Sequence, residues 1–267
     1  MSLAWACSGC GGIELGDDEW SMAGAHSVTV EDGVGPEGQL VVYRPSDLDV
    51  DAPHGVVVWS VGTGGSPSGY ASLLEHWASH GFVVVAGDDG NQQDGDQALL
   101  ALQWIVDQNE VGGAYEGQID VDAIAASGHS QGGNACIHVG LRDDRVRAIL
   151  PIEPGWGELG DAEVADDSAL TIPVFYVCGE NDHLVEPSWC VERFEDAPAQ
   201  AWVGVVRGAD HFAPVGRRAG SDDVEIRRYG TRWLYAWLRD DAAAREAFEG
   251  EDWSLLDDSA WMDVMRH

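Results

Sequence analysis

Residues 123–141 read AIAASGHSQGGNACIHVGL. An apolar segment of strand length runs into a Gly-x-Ser-x-Gly motif centred on Ser130, and a helical pattern follows the motif. In this context the serine occupies a tight, strained turn that projects its hydroxyl above a sheet, and Gly128 and Gly132 give the turn its clearance. Because the chain holds 34 glycines, the motif alone is a weak signal, and the surrounding segments must decide the fold.

Apolar runs of strand length alternate with longer helical patterns from residue 39 onward, which is typical of repeated strand–helix units. The patterns predict strands at 28–31, 39–44, 55–60, 82–86, 123–127, 146–152, 173–178 and 202–207, and helices over 70–80, 93–108, 132–141 and 224–239. The first two strands are expected to pair antiparallel. We therefore expect an α/β class protein with the α/β-hydrolase fold, in which helices flank a mostly parallel, twisted central sheet without a large lid.

The length of 267 residues and the hydrophobic content of 45% fit one large core. We expect an N-terminal tail over 1–24, a single domain over 25–248 and an acidic C-terminal tail over 249–267. Trp253 and Trp261 are candidates for packing this last segment against the domain.

The charge balance is strongly acidic, with 47 Asp and Glu against 14 basic residues and a net charge of -33. All the basic residues are arginines, so chemistry that requires a lysine, such as a Schiff base or a phosphate-binding loop, is excluded. A nucleic-acid partner is not expected either, because binding phosphates needs a basic face. We expect a monomer with a solvated acidic surface.

The five cysteines fit neither a four-ligand zinc site nor a dense disulfide scaffold. Cys7 and Cys10 form a CxxC motif without a second pair at metal spacing, and the pairing of the others stays open, with Cys178 to Cys190 as one candidate bridge. No apolar run is long enough to span a bilayer. We expect a secreted or extracellular protein, with a periplasmic or lipid-anchored location as alternatives, although no signal is visible in the sequence.

A carboxylate and a histidine follow Ser130 in the order that a Ser–Asp–His triad has in this fold. Asp182 lies after the predicted strand 173–178, and His211 follows the last predicted strand. His211 would act as the general base, and Asp182 would orient its imidazole. Glu180 is a nearby alternative to Asp182, and Glu153 is a more remote one.

An oxyanion hole needs two backbone N–H groups near the nucleophile. The sequence predicts Gln131 as one donor and Thr63, in the small loop Gly62-Thr63-Gly64-Gly65, as the other, with Gly64 as the alternative. Gly62 and Gly64 are expected to line the substrate site. His129, inside the motif, is expected to support the turn through hydrogen bonds. The reaction needs no cofactor or metal.

Between residues 39 and 250 the chain resembles the bacterial cutinase and polyester-hydrolase family, which includes enzymes that act on polyethylene terephthalate and has dienelactone-hydrolase-like relatives. The resemblance rests on the segments ASHGFVVV (78–85), GHSQGG (128–133), Asn181-Asp182 with Pro187, GADHFAP (208–214) and WLRDD (237–241). It implies the α/β-hydrolase fold and the Ser130, Asp182 and His211 triad.

Three positions carry the family's substrate contacts in this resemblance. The substrate-stacking tryptophan of the family falls on Trp156, for which ordinary packing is the alternative. The family's aromatic residue in the oxyanion loop is replaced by Thr63, and the usual methionine after the nucleophile is replaced by Gln131. Both changes make the expected cleft less aromatic and more polar.

The resulting expectation is a serine carboxylesterase that works through an acyl-enzyme and acts on short to medium acyl esters or on polyesters. Within the enzyme class the alternative is a dienelactone-hydrolase-like or acetyl esterase for small soluble esters, which Thr63 and Gln131 favour. From a different class, a catalytically inactive polymer-binding protein is the further alternative.

The acidity predicts a dependence of stability on salt. Because salt screens repulsion among surface carboxylates, we expect the melting temperature to rise when sodium chloride is raised from low to molar concentration. A melting temperature that stays flat across this range would contradict the expectation of a salt-adapted surface.

Overall fold

The structure is a computed structural model that describes residues 19–90, 94–155, 163–198, 200–216 and 222–267. Nine strands form one sheet, and they are β1 (Val28–Val34), β2 (Leu40–Pro45), β3 (His54–Ser60), β4 (Val83–Gly87), β5 (Ile119–His129), β6 (Val146–Ile152), β7 (Val174–Gly179), β8 (Ala201–Val206) and β9 (Trp261–Arg266). Seven α-helices are assigned among the described residues, and they are α1 (Ala71–Ser79), α2 (Asp96–Asn109), α3 (Gln131–Arg142), α4 (Pro187–Asp196), α5 (Asp222–Leu238), α6 (Ala242–Arg245) and α7 (Ser254–Asp257).

The strand order in the sheet is β1-β2-β4-β3-β5-β6-β7-β8-β9. Pairing is antiparallel from β1 to β2 and from β2 to β4, parallel from β4 through to β8, and antiparallel again between β8 and β9. The predicted fold class is confirmed, since a mostly parallel central sheet is flanked by helices. The predicted opening antiparallel pair is confirmed as well.

The sheet separates two apolar cores because neighbouring residues along a strand point to opposite faces. In β3, Val57 and Trp59 belong to one core, while Val56 and Val58 belong to the other. Helices α1 and α5 cover the first core, and α2, α3 and α4 cover the second. Covering both faces buries most of the central strands, including the carboxyl-terminal halves of β5 and β6, so the carboxyl ends of the parallel strands lie together at one end of the sheet.

The C-terminal segment differs from the acidic tail that the sequence predicts over 249–267. Its last residues form β9, an edge strand, and Trp261 is only 3% exposed. The indole lies against Gly204 of β8, where an added Cβ would come within 2.7 Å of it, and its Nε1–H donates to Glu225 at 3.1 Å. The acidic residues that suggest a tail lie mostly before this strand, and the strand itself reads WMDVMR, in which Asp263 interrupts the apolar residues.

The N-terminal boundary also differs from the predicted tail over 1–24, as far as residues 19–24 are concerned. Trp20 is buried and its ring lies 4.9 Å from that of Tyr235 in α5. The backbone N–H of Gly24 donates to Ser79 Oγ at the end of α1 at 2.8 Å. These residues therefore pack on the same helices as the domain, while the rest of the predicted tail lies outside the described residues.

A disulfide joins Cys178, in β7, to Cys190, in α4, with 6.5 Å between their Cα atoms. The bridge closes the loop that carries Asp182. Cys136 is a free, buried thiol, and Cys7 and Cys10 lie outside the described residues. No helix in the described part of the chain is long and apolar enough to cross a membrane.

Candidate active site

Ser130 lies at the junction between β5 and α3, with backbone angles φ 56° and ψ -121°. A non-glycine residue rarely adopts this conformation, which costs about 1–3 kcal/mol and persists only where the surroundings enforce it. The flanking glycines permit the turn. A Cβ on Gly128 would lie 2.2 Å from the carbonyl oxygen of Gly132, and a Cβ on Gly132 would lie 2.1 Å from that of Ser60.

The structure brings Ser130, His211 and Asp182 into one hydrogen-bonded line. His211 Nδ1 lies 2.7 Å from Asp182 Oδ2, and His211 Nε2 lies 3.0 Å from Ser130 Oγ. A carboxylate can only accept, so Nδ1 carries the proton and Nε2 accepts from the serine hydroxyl. All three side chains are buried.

Asp182 is held by its own loop as well as by the imidazole. Its Oδ1 accepts the backbone N–H groups of Leu184 and Val185, each at 2.8 Å. The alternative carboxylate Glu180 instead accepts the N–H of Gly208 at 2.8 Å and is exposed. Of the two residues, only Asp182 has its carboxylate on the histidine.

Glu153, the second alternative, lies beside the line rather than in it. Its Oε2 is 3.7 Å from His211 Nδ1 and 3.0 Å from His129 Nε2. Burial, together with the nearby charges of Asp182 and Asp210, raises the pKa of Glu153 well above its ordinary value. This carboxyl group is therefore the one in the site that favours the protonated form.

His129 is buried under the turn and hydrogen-bonded at both ring nitrogens. Besides Glu153, it contacts the hydroxyl of Tyr70, 2.9 Å from Nδ1, and that hydroxyl accepts the N–H of Gly62 at 3.1 Å. Burial is the main cause that lowers the pKa of His129 to about 3, so the imidazole is neutral. Sequence reasoning anticipates a supporting role for His129 but gives no sign of Tyr70, because the two are 59 residues apart in the chain.

The loop after β3 carries the predicted oxyanion donor Thr63 and the alternative donor Gly64, whose backbone N–H groups differ in their hydrogen bonds. The N–H of Gly64 donates to the carbonyl of Gly90 at 2.9 Å, and that of Gly65 donates to Gly62 at 2.8 Å. The N–H of Thr63 takes part in none of the backbone hydrogen bonds found among the described residues. Gln131 is the first residue of α3, and N–H groups at that position have no partner within the helix.

Two comparisons with known proteins bear on the family of this chain, and the first decides it. A family model described as PETase, PET hydrolase-like, matches residues 21–257. The chain belongs to this PET hydrolase-like family.

Curated relatives agree with the family. "Cutinase est2" of Thermobifida alba is 25% identical over 217 residues, which cover 76% of this chain and 65% of the relative. "Cutinase 1" of Thermobifida cellulosilytica is also 25% identical over 217 residues, covering 76% of this chain and 75% of the relative. "Lipase 1" of Moraxella sp. (strain TA144) is 22% identical over 182 residues, with 64% and 53% covered. The chain thus spans less than two thirds of the length of Cutinase est2.

In this PET hydrolase-like chain a cavity of about 420 Å³ opens above Ser130 and His211. Its lining includes the small loop with Gly62, Thr63 and Gly64, of which Gly62 and Gly64 are the residues expected to line a substrate site. The lining also includes the apolar side chains of Leu184, Phe212 and Val215. Leu184 and Phe212 are each 46% exposed, so large apolar groups border the cavity.

Two of the positions expected to contact substrate are not placed in this cavity. Trp156 lies outside the described residues, as does the rest of 156–162 in the connection between β6 and β7, to which the expectation of no large lid applies. Gln131 is half-buried, and its side-chain Oε1 is buried and has no hydrogen-bond partner. It is not among the described residues that line the cavity, so the expected polar contribution of its side chain to the cleft is not seen there.

One group of metal-type donors occurs among the described residues. The donor atoms of His129, Glu153 and His211 lie within 4.8 Å of one another, and all three side chains are buried. His211 already bonds Ser130 and Asp182, and His129 already bonds Glu153 and Tyr70. A metal ion at this place would have to displace these hydrogen bonds.

The close packing at the turn predicts a steric penalty for Gly132→Ala. Alanine exceeds glycine in helix propensity by about 1 kcal/mol, yet its Cβ would meet the Ser60 carbonyl at 2.1 Å. We expect the backbone clash to dominate and to lower the free energy of unfolding by about 3 kcal/mol or more in urea titrations.

Gly69→Ala is the matched control, because Gly69 lines the same cavity but its added Cβ would meet only Val215, at 4.0 Å. We expect the control to change stability by less than about 0.5 kcal/mol. Equal stability of the two variants would contradict the turn geometry.

Proposed function

We propose that this chain is a serine carboxylic-ester hydrolase in which Ser130 is the nucleophile, His211 the general base and Asp182 the orienting acid. The observation that carries the proposal is the hydrogen-bonded line from Asp182 through His211 to Ser130, with distances of 2.7 and 3.0 Å. Membership of the PET hydrolase-like family and the cutinase names of the relatives support it.

The reaction follows from this line of groups. Ser130 Oγ attacks the carbonyl carbon of the ester while its proton passes to His211 Nε2, and a tetrahedral oxyanion forms. Collapse of this intermediate breaks the bond to the alcohol, which leaves with the proton from His211. Water, deprotonated by the same nitrogen, then attacks the acyl-enzyme and releases the carboxylic acid. Asp182 stays ionised throughout and stabilises the imidazolium.

The oxyanion is assigned to the backbone N–H groups of Thr63 and Gln131. Gly64 is a weaker candidate because its N–H already donates to Gly90. Gln131 begins α3, so the positive end of the helix dipole adds to its hydrogen bond. Both donors belong to backbone that other contacts hold in place, which is the condition for stabilising charge without reorganisation.

The proposed substrates are short to medium acyl esters, with polyesters as the extended case. A cavity of about 420 Å³ accommodates an acyl or aromatic acid unit of this size. The exposed apolar groups of Leu184 and Phe212 beside it favour a hydrophobic substrate surface. Thr63 favours the second candidate, an acetyl-esterase or dienelactone-hydrolase-like activity on small soluble esters, because it leaves the loop without an aromatic ring.

A secreted or extracellular location belongs to the same proposal. Disulfides form and persist mainly in oxidising compartments, and the bridge between Cys178 and Cys190 supports such a compartment. A monomer that binds no nucleic acid is consistent with a net charge of -33.

Substitution of the triad tests the catalytic roles. We expect Ser130→Ala to abolish hydrolysis of p-nitrophenyl butyrate and labelling by a fluorophosphonate probe. We expect Asp182→Asn to lower kcat about 10⁴-fold, because an amide favours the wrong tautomer of His211. Glu180→Gln is the matched control and should keep the activity, since the Glu180 carboxylate accepts the Gly208 N–H while that of Asp182 is hydrogen-bonded to His211. Probe labelling that survives Ser130→Ala would refute the proposal, and wild-type protein that neither labels nor hydrolyses would favour the inactive polymer-binding alternative.

A second measurement separates the two substrate classes. We expect the protein to release soluble product from a polyester film as well as from p-nitrophenyl butyrate, because apolar side chains border the cavity. Hydrolysis of the soluble ester with no product from film at any salt concentration would leave only the small-ester activity.

A further inference from the structure

Glu153 is a buried carboxyl group that the proposed reaction does not use. It follows β6 directly, its side chain is 1% exposed, and its backbone adopts φ 46°, a conformation that is rare for residues with a side chain. Gly179 at the end of β7 makes room for it, because an added Cβ there would come within 2.7 Å of Glu153 Oε1. Backbone strain and a glycine thus combine to hold an acid under the catalytic turn.

Glu153 and Asp182 compete for one negative charge, since both carboxyl groups lie beside His211. Asp182 accepts three hydrogen bonds, from the imidazole and from two backbone N–H groups. Among the described residues, Glu153 Oε2 is hydrogen-bonded to His129 and lies 3.7 Å from His211 Nδ1, while its buried Oε1 has no hydrogen-bond partner. Two carboxyl groups in one buried site do not both ionise readily, and the better hydrogen-bonded one takes the charge. Asp182 is therefore the anion, and Glu153 keeps its proton.

The proton on Glu153 fixes the hydrogen bonds that follow. Its O–H donates to His129 Nε2 across 3.0 Å, so His129 carries its own proton on Nδ1 and donates it to the Tyr70 hydroxyl at 2.9 Å. The same hydroxyl accepts the N–H of Gly62 at 3.1 Å. One chain of hydrogen bonds thereby runs from Glu153, beside His211, to the residue that precedes Thr63.

We propose that Glu153 is a positioning residue, a neutral carboxylic acid that sets the tautomer of His129 and, through Tyr70, holds the oxyanion loop at Gly62. The inference rests on the proposed function, because the position of the Thr63 amide matters only for an oxyanion at Ser130. Ionisation of Glu153 would place a second negative charge 3.7 Å from His211 and would reverse the donor and acceptor roles along the chain.

The ionisable groups around Glu153 come from several elements. They are His129 at the end of β5, Tyr70 before α1, Asp182 after β7, and Asp210 and His211 after β8. Only the two histidines among them can become cations, and burial lowers the pKa of His129 to about 3. Burial and the two aspartates raise the pKa of Glu153, in agreement with the assignment made from its hydrogen bonds.

The pH dependence of stability tests the protonation state without any use of catalysis. A carboxyl whose pKa is raised on folding stabilises the protein below its unfolded value, 4.5, and this stability is lost as pH rises towards the folded pKa. Glu153→Gln keeps the shape and the donor but cannot ionise. We expect the unfolding constant of wild type, divided by that of Glu153→Gln, to rise about tenfold per pH unit from about pH 5 upward in urea titrations. A ratio that stays flat up to about pH 8 would contradict the assignment of Glu153 as a neutral acid.

Kinetics of three variants test the positioning role. We expect Glu153→Leu, which cannot donate to His129, to lower kcat on p-nitrophenyl butyrate on the order of 10- to 100-fold with little change in KM. Glu153→Gln should restore most of this loss. Tyr70→Phe should lower kcat similarly, because it removes the contact to Gly62, yet it should leave the pH dependence of stability as in wild type. Equal kcat for Glu153→Leu and Glu153→Gln, or full activity of Tyr70→Phe, would overturn the role.

The two proposals fail in distinguishable ways. Full activity of Ser130→Ala would refute the proposed function. The ratio of the unfolding constants of wild type and Glu153→Gln would still show whether Glu153 is protonated. Inactive Ser130→Ala together with a flat unfolding ratio would remove only the role of Glu153. If Glu153→Leu does not fold, as judged by circular dichroism, the Glu153→Gln and Tyr70→Phe series decides the outcome alone.

Discussion

The contact between Gly132 and the carbonyl of Ser60 is the constraint on which the site depends. It allows β5 to turn into α3 within one residue, and that residue, Ser130, takes φ 56°. The cost of such a conformation, about 1–3 kcal/mol, is offset by fixed surroundings: the Ser130 N–H donates to Ile152 at 3.0 Å, and its carbonyl accepts from Gly155 at 2.8 Å. The serine hydroxyl is thereby placed at the carboxyl end of the parallel strands.

The parallel sheet places Asp182 and His211 at the same end of the strands as Ser130. β7 and β8 are direct neighbours, so the loops that follow them bring Asp182 and His211 together although 29 residues separate them. The disulfide between Cys178 and Cys190 closes the first of these loops. Each group is thus positioned by a strand end, and the line from acid to base to nucleophile follows from the order of the strands.

Charge within the site is kept low although the chain carries a net charge of -33. Asp182 is stabilised by three donors, whereas Glu153 lacks such partners and favours its neutral form. A single buried anion suits a histidine that must be neutral at rest and positively charged in the transition state. The hydrogen bonds from Glu153 through His129 and Tyr70 run from beside His211 to the oxyanion loop at Gly62.

Much of the fold could be predicted from the sequence, because the core strands are apolar runs between clear helical patterns. The positions of Ser130, Asp182 and His211 followed from their places after strands. Glu153 was anticipated only as a remote substitute acid, since its contact with His129 depends on the pairing of β5 with β6 and on a strained backbone angle. The contact of Tyr70 with His129 joins residues 59 positions apart, and β9 reads WMDVMR, with an aspartate among its apolar residues and a single β-branched side chain, so neither gives a clear sequence signal. The bridge from Cys178 to Cys190, by contrast, was a candidate from the sequence, and the structure contains it.

The account is tested most directly by trapping the covalent intermediate. The protein would be quenched with acid during turnover of p-nitrophenyl butyrate, digested and analysed by mass spectrometry. The account predicts a butyryl group on Ser130. Continued release of p-nitrophenol with the butyryl group on another residue would contradict the account. So would the complete absence of a butyryl group from the protein under conditions where deacylation limits the rate.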